Sequence, residues 1–430
     1  VSCAYAENAP LSIKLSTQDH TLPTSIELVE TDNSISTDYI KKLLRIVEFD
    51  FHICESTFIV DPKTHRRQTV SNSGQITGSS SDSAVSPVLK LFAKVQNHNL
   101  IFDTSLSGKR LKSWSAPLCG SLSKDRSLMH ELSAKLQESA LLKKSIAAQK
   151  LLYTLNIKDS SVPDGVRSEI WSSDIDGYNA HRISPKNDFC LNPSYVPSAA
   201  GKPDQILFVN YKTGQPKLHI ASINSGKSSS MLSLRGSQLL PALSKNRRVL
   251  GFICDAMGRA DLFLQFFDGT KEKPVRFVSF PGATQSSPTF DPLSKRVAFT
   301  SDKTGTPQIY VAPIDIDKSP QLERVTYKSR QNTCPTWSPD GTKLAYIALT
   351  DGVKQIWIYD FSKSEERQLT FDPIQKESPA WAPNSLHLIY NTIDHNRCEL
   401  YLLCLTTGQI TKISAGLGDK KFPACEPWAK

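Results

Sequence analysis

Pro335-Thr336-Trp337-Ser338-Pro339-Asp340-Gly341-Thr342-Lys343-Leu344-Ala345-Tyr346 is the phrase that decides the fold. It recurs along the chain. Further copies open at Pro241, Pro288 and Pro379, and degenerate ones at Pro193 and Pro423. The six lead prolines are spaced 48, 47, 47, 44 and 44 residues apart. A strand-rich repeat of that length signals a β-propeller with four strands per blade. One blade cannot bury both its faces, so the blades must stack radially and cover one another.

Each repeat reads as four strands. The first carries the Pro-x-aromatic phrase. Ser338-Pro339-Asp340-Gly341 then makes a tight turn, with Pro fixing φ, Asp bonding back to the backbone and Gly accepting φ > 0. Leu344-Ala345-Tyr346-Ile347 and Arg296-Val297-Ala298-Phe299 read as second strands. Asp302-Lys303-Thr304-Gly305 and Asp255-Ala256-Met257-Gly258 are the next turns, and Gln308-Ile309-Tyr310-Val311 is a third strand. The fourth ends in an aliphatic residue followed by Ser or Thr: Val325-Thr326, Leu369-Thr370, Ile413-Ser414. The sixth copy stops after a single strand, at Phe422 to Trp428. Its three missing strands are expected at Lys150–Thr154, Glu169–Ser172 and His181–Ser184. The ring then closes by pairing the last strand with an N-terminal one, which removes exposed sheet edges.

Residues 7–145 lack the repeat and read as a small α/β domain, followed by a six-bladed propeller over 146–430. Leu11–Leu15, Ser25–Val29, 88–95 and 99–104 alternate like strands, and Thr37–Val47 has helical spacing. The strongest helical stretch runs from Asp125 to about Ala148, with His130 as a packing or capping residue. Ser71 to Ser86 reads as a solvated loop with no phosphate-binding pattern.

The 430 residues carry a net charge of +9, spread along the chain, and show no aromatic-plus-basic nucleic-acid module. No run is long and apolar enough to span a bilayer. Ala4-Tyr5-Ala6 before Glu7 has the small-x-small pattern of an export-signal cleavage site, so residues 1–6 are expected to be the tail of a signal. The alternative is a lipoprotein signal with Cys3 acylated. The eight other cysteines fit either disulfides or buried apolar residues, and no metal-ligand spacing occurs among them. There is no Gly-x-Ser-x-Gly elbow, no HExxH and no nucleophile–base pair. The expectation is therefore no enzyme, no catalytic residue, no metal and no cofactor.

Together these parts resemble the TolB family. Asp174-Ile175-Asp176-Gly177-Tyr178-Asn179 carries most of the resemblance, with the Pro335–Gly341 blade phrase, the closing Lys421-Phe422-Pro423-Ala424, and the order of the two domains. The departures are the last strand, which lacks the Trp-Ser-Pro, the turns at Lys245-Asn246-Arg247 and Asn384-Ser385, which lack Asp-Gly, and a divergent N-terminal domain. The resemblance implies a monomeric, non-enzymatic adaptor in the periplasm, part of a Tol–Pal system that maintains the envelope and constricts the outer membrane at division. A peptidoglycan-associated lipoprotein, Pal, would bind at the propeller mouth. In the family, positions one to four before the lead proline of early blades are contacts, which gives Ser237, Leu240 and Ser286 here. Equivalent places in other blades are Asn192, Thr333 and Ser378. The arm Glu7-Asn8-Ala9-Pro10 would engage a TolA-like inner-membrane protein. Two other classes remain open: a gate or substrate-binding module of an exported hydrolase, and a cell-wall-binding propeller.

Overall fold

A computed structural model describes residues 21–32, 34–73, 75–79, 84–162, 165–186, 188–198, 203–269, 271–315, 319–394 and 397–428. Six four-stranded antiparallel sheets form the blades of a propeller. Five are continuous in sequence, with innermost strands Cys190–Tyr195, Gln238–Leu243, Gln285–Phe290, Asn332–Trp337 and Gln375–Trp381. The sixth is composite. Its innermost strand is Asp419–Cys425, followed outward by Lys150–Lys158, Val166–Asp174 and His181–Arg182. Lys420 pairs with Leu155 and Cys425 with Leu151, so the two ends of the propeller meet in one sheet, as the repeat count requires.

The Ser/Thr that recurs after the fourth strands of three blades has a structural job. Thr326 Oγ1 donates to Gln308 Oε1 at 2.9 Å and accepts from the Ile309 backbone N–H at 3.0 Å. Thr370 makes the same pair of bonds with Gln355 and Ile356, and Ser414 with Glu399 and Leu400. A short outer strand has few ladder bonds, and a buried hydroxyl supplies the missing ones.

Blades adhere through apolar seams. Trp337 packs with Leu344 and Tyr346 of its own blade against Ala298, Ile309 and Val311 of the preceding one. Trp381 does the same against Ala345, Ile347 and Ile356, and its indole N–H donates to the Thr336 carbonyl across the seam at 3.0 Å. The lead aromatic of each phrase is therefore core.

Residues before the propeller form an eight-stranded mixed sheet covered by two helices, α1 (Thr37–His52) and α2 (Leu122–Leu141). Leu22–Thr31 lies inside this sheet, parallel to both Thr57–Val60 and Leu89–Gln96. Two expectations are corrected. The second helix does not reach Ala148. It stops at Leu141 because Leu142 turns left-handed, at φ 55°, and caps Glu138. The segment 71–86 is not all loop, because Ile76–Ser79 pairs with Arg67–Val70 as the sheet's edge strand. The Leu11–Leu15 strand lies outside the described residues.

The small body and the propeller share one hydrophobic core. Leu43, Phe49 and Met129 from the helices join Leu151, Tyr153 and Leu155 of the composite blade with Ile389, Leu400 and Leu402 of the last continuous one. The seam that closes the ring is thus the same seam that holds the small body.

Candidate functional site

The mouth of the propeller is built by a repeated irregularity. In every blade the ladder between first and second strands slips just around the lead proline. Proline has no N–H to give the ladder, so a bulge there costs little. The residue before it takes the left-handed conformation: Asn192, Leu240, Ser287, Cys334, Ser378 and Phe422 have φ between 49° and 54°. These six residues and their prolines line a central cavity of about 360 Å³. The wall is rigid because the prolines are fixed in φ, and it is narrow because the bulged backbone leans toward the axis.

A second repeated position fixes the loops around this mouth. Three residues before the lead prolines stand Gln238, Gln285, Asn332, Lys376 and Lys420, all buried. Four of them reach back into the incoming loop. Gln238 Nε2 donates to the Leu234 carbonyl and Asn332 Nδ2 to the Ser329 carbonyl. Lys376 donates to the Ile374 carbonyl and pairs with Asp372. Lys420 donates to the carbonyls of Gly416, Leu417 and Gly418, and lies 3.7 Å from Glu399. Burial lowers the pKa of both lysines, opposed by their carboxylate partners. The turns between second and third strands add a further tie. Asp255 accepts from the Ser237 N–H and Asp302 from the Thr284 N–H, both at 2.6 Å. These aspartates do more than shape their own turns.

Of the residues expected at the mouth, Asn192, Leu240 and Ser378 line the cavity directly. Ser286 and Thr333 stand one step outside the lining ring, and Ser237 lies in the loop held by Asp255. Ser287, Cys334 and Phe422 line it and were not singled out from sequence. Strict counting back from each proline would have found them. Glu7, Asn8, Ala9 and Pro10 lie outside the described residues.

The second feature is the socket for α2. His130 is buried between two carboxylates, with Nδ1 2.8 Å from Asp50 and Nε2 3.2 Å from Asp176. Burial alone would lower the imidazole pKa, but Asp50 and Asp176 outweigh it and hold it at about 10. Asp176 also takes the guanidinium of Arg126, which lies over the Tyr178 ring at 4.2 Å. Asp174 takes Lys150 and, at 2.6 Å, the Asn179 amide, which also donates to the Ser123 carbonyl. Gly177 is forced: a Cβ there would stand 2.4 Å from the Ile413 carbonyl oxygen. The Asp174–Asn179 element is therefore a docking socket, and His130 is an ionic hub where sequence suggested a packing or capping residue. His130, Asp174 and Asp176 bring their ligand atoms within 4.8 Å of one another. Arg126 and Lys150 already neutralise these carboxylates, which disfavours a cation.

Among the described residues the eight cysteines are free thiols: five are buried, Cys334 and Cys425 are half-buried, and Cys119 is exposed. No helix among the described residues is long and apolar enough to cross a membrane.

A family model described as TolB beta propeller domain matches residues 143–429. The TolB homolog of Protochlamydia amoebophila (strain UWE25) is 38% identical over 294 residues, covering 66% of this chain and 62% of that one. The chain thus spans somewhat less than two thirds of that relative's length. The TolB homolog of Chlamydia pneumoniae is 35% identical over 308 residues, 70% of each chain. The crystal structure of TolB from Acinetobacter baumannii superposes with a TM-score of 0.74 at 19% identity, over 95% of this chain and 97% of that one, which is a likeness of fold. With the blade phrase, the composite closing blade and the Asp174–Asn179 socket all in place, the chain belongs to the TolB β-propeller family.

Proposed function

We propose that this protein is a non-enzymatic periplasmic adaptor of a Tol–Pal system. The propeller (146–430) grips a Pal-like lipoprotein at its mouth, and the part before it (7–145) carries the arm that meets a TolA-like protein. The observation that carries the reading is the ring of six left-handed residues around the cavity. It presents turned backbone, the small Asn192, Ser287, Cys334 and Ser378 and the larger Leu240 and Phe422, on a wall stiffened by proline. Such a surface suits a folded partner that inserts a loop and bonds to main chain. The clamped loops around it lower the ordering cost of binding.

The test is capture of the Pal-like lipoprotein's soluble domain by Leu240→Arg combined with Ser378→Arg. Both residues are half-buried in the mouth lining; Ser378 lies outside the apolar seams, and Leu240 is partly buried against the seam to the following blade. Capture should fall at least tenfold, with circular dichroism unchanged and melting still cooperative, and Ser378→Arg alone should weaken capture at an unchanged melting temperature. A folded variant that captures as well as the parent places the contact elsewhere.

A further inference from the structure

We infer that Cys54 and Cys404 form a disulfide-capable pair that can tie the small body covalently to the last blade. Cys54 follows α1, just past its cap residue Ile53. Cys404 ends the third strand of the last continuous blade. Two clamps bracket the meeting point. His387 is the directly opposed strand partner of Cys404, and its Nε2–H donates to the Ile53 carbonyl at 2.9 Å. Its other nitrogen accepts from Asn384, so the ring is neutral and its orientation fixed. On the other side, the Cys404 N–H donates to the Gln409 carbonyl at 2.9 Å, and Gln409 Nε2 donates to the His52 carbonyl at 3.0 Å. Backbone on both sides of Cys404 is thereby anchored to the residues before Cys54.

Alternation orients the thiol. Leu400 and Leu402 point into the core shared with α1, and with a period of two Cys404 points the same way. Directly opposed side chains share a face, and His387 already reaches the small body. Both cysteines are buried, at 6% and 5% exposure. The Cys404 thiol is near enough to bear electrostatically on Cys54.

The chemistry is thiol–disulfide exchange. An external disulfide, small-molecule or on an oxidoreductase, accepts two electrons and becomes two thiols. Cys54 and Cys404 each lose a proton, and one S–S bond forms between them. Only a thiolate attacks, and burial pushes the Cys54 thiol up to about 12, ahead of the smaller push from Glu55. The closed seam therefore resists oxidation. The bond forms while the seam is open, during folding or transient separation of the two parts, and is protected once the seam closes.

The full chain, refolded with glutathione disulfide and alkylated, is digested without reduction and read by mass spectrometry. A peptide linking Cys54 to Cys404 is expected. Reductant should then lower the melting temperature by roughly 5 °C. Cys54→Ser and Cys404→Ser should each melt like the reduced parent and lose that response. Folded protein in which both thiols are alkylated, or in which either is joined to another cysteine, overturns the pairing. A native-state control separates the kinetic claim: labelling of Cys54 in folded, reduced protein should be slow and speed up in mild denaturant.

Discussion

Five of the six seams between blades are alike, and the sixth is not. In an ordinary seam, such as that of Trp337 against Ala298 and Val311, the contact is apolar and the aromatic is delivered by the repeat itself. In the closing seam, three parts of the chain meet. Its apolar core is shared with α1 and α2, and beside it lie the fully buried His130, Asp50 and Asp176. Asn72 donates to the carbonyls of Asp176 and Ser414. The ordinary seam is a matter of area and shape, and tolerates substitution in proportion to volume lost. The closing seam depends on charges that are paired inside protein. Such pairing adds little net stability over an apolar equivalent, but breaking it is costly because the remaining charge stays buried. It specifies where the parts meet more than how tightly.

The largest effect should come from removing the clasp. Truncation before Asp419 takes away the innermost strand of the composite blade, leaves one edge of Lys150–Lys158 unpaired and removes packing against the neighbouring blades. Cooperative melting should be lost, or its midpoint should fall by more than 10 °C, since loss of a packed strand costs more than any single side chain. Unchanged melting would mean that the ring is held by something other than this sheet.

A smaller loss is expected from Asp176→Ala, which strands the charge of Arg126 and leaves His130 with Asp50 alone. It should cost about 3–5 kcal/mol in denaturant unfolding. Trp337→Ala should cost about as much, from cavity formation. The two differ in place. Limited proteolysis should show cutting between the small body and the propeller only in the Asp176 variant. Equal cutting in both would erase the distinction between the seams.

The smallest effect over any single pH unit is a pH slope. His130 titrates at about 10 in the folded chain against an ordinary value of 6.5. A raised folded pKa stabilises fully below the unfolded value and fades as pH climbs to the folded one. Stability should therefore decline between pH 6.5 and 10, by up to about 1.4 kcal/mol per pH unit. His130→Gln should flatten that part of the profile. An unaltered slope would assign it to other groups.

This contrast also explains what could be read in the sequence. The strand order, the closure and the Ser/Thr after three of the fourth strands are legible because one local pattern recurs in register. The closing seam joins Asp50, His130 and Asp176, three single residues far apart in sequence with no period linking them. Only the Asp174–Asn179 element gave a signal, and it came by resemblance without revealing its role as a socket. At the mouth, Leu240 came through the resemblance, and Asn192 and Ser378 as its equivalent places before other lead prolines. Lys376 and Lys420 carry no such signal in isolation, because lysine is almost never fully buried. Alignment with Gln238, Gln285 and Asn332, at the same offset from the proline, was the clue that identifies them. The overextension of α2 to Ala148 came from favourable helical residues beyond Leu142, where backbone handedness ended the helix.

The composite blade also imposes a timetable. Residues 419–425 leave the ribosome after every strand they join, and their partner at Lys150–Lys158 has by then waited through the making of five blades. Until that last segment arrives, the first blade lacks its inner strand and the small body has only part of its floor. Contacts of such sequence separation are slow to form and leave sticky edges exposed meanwhile. The nascent chain thus has a long interval in which it is vulnerable to aggregation, and the emergence of residues 419–425 is the event that ends it.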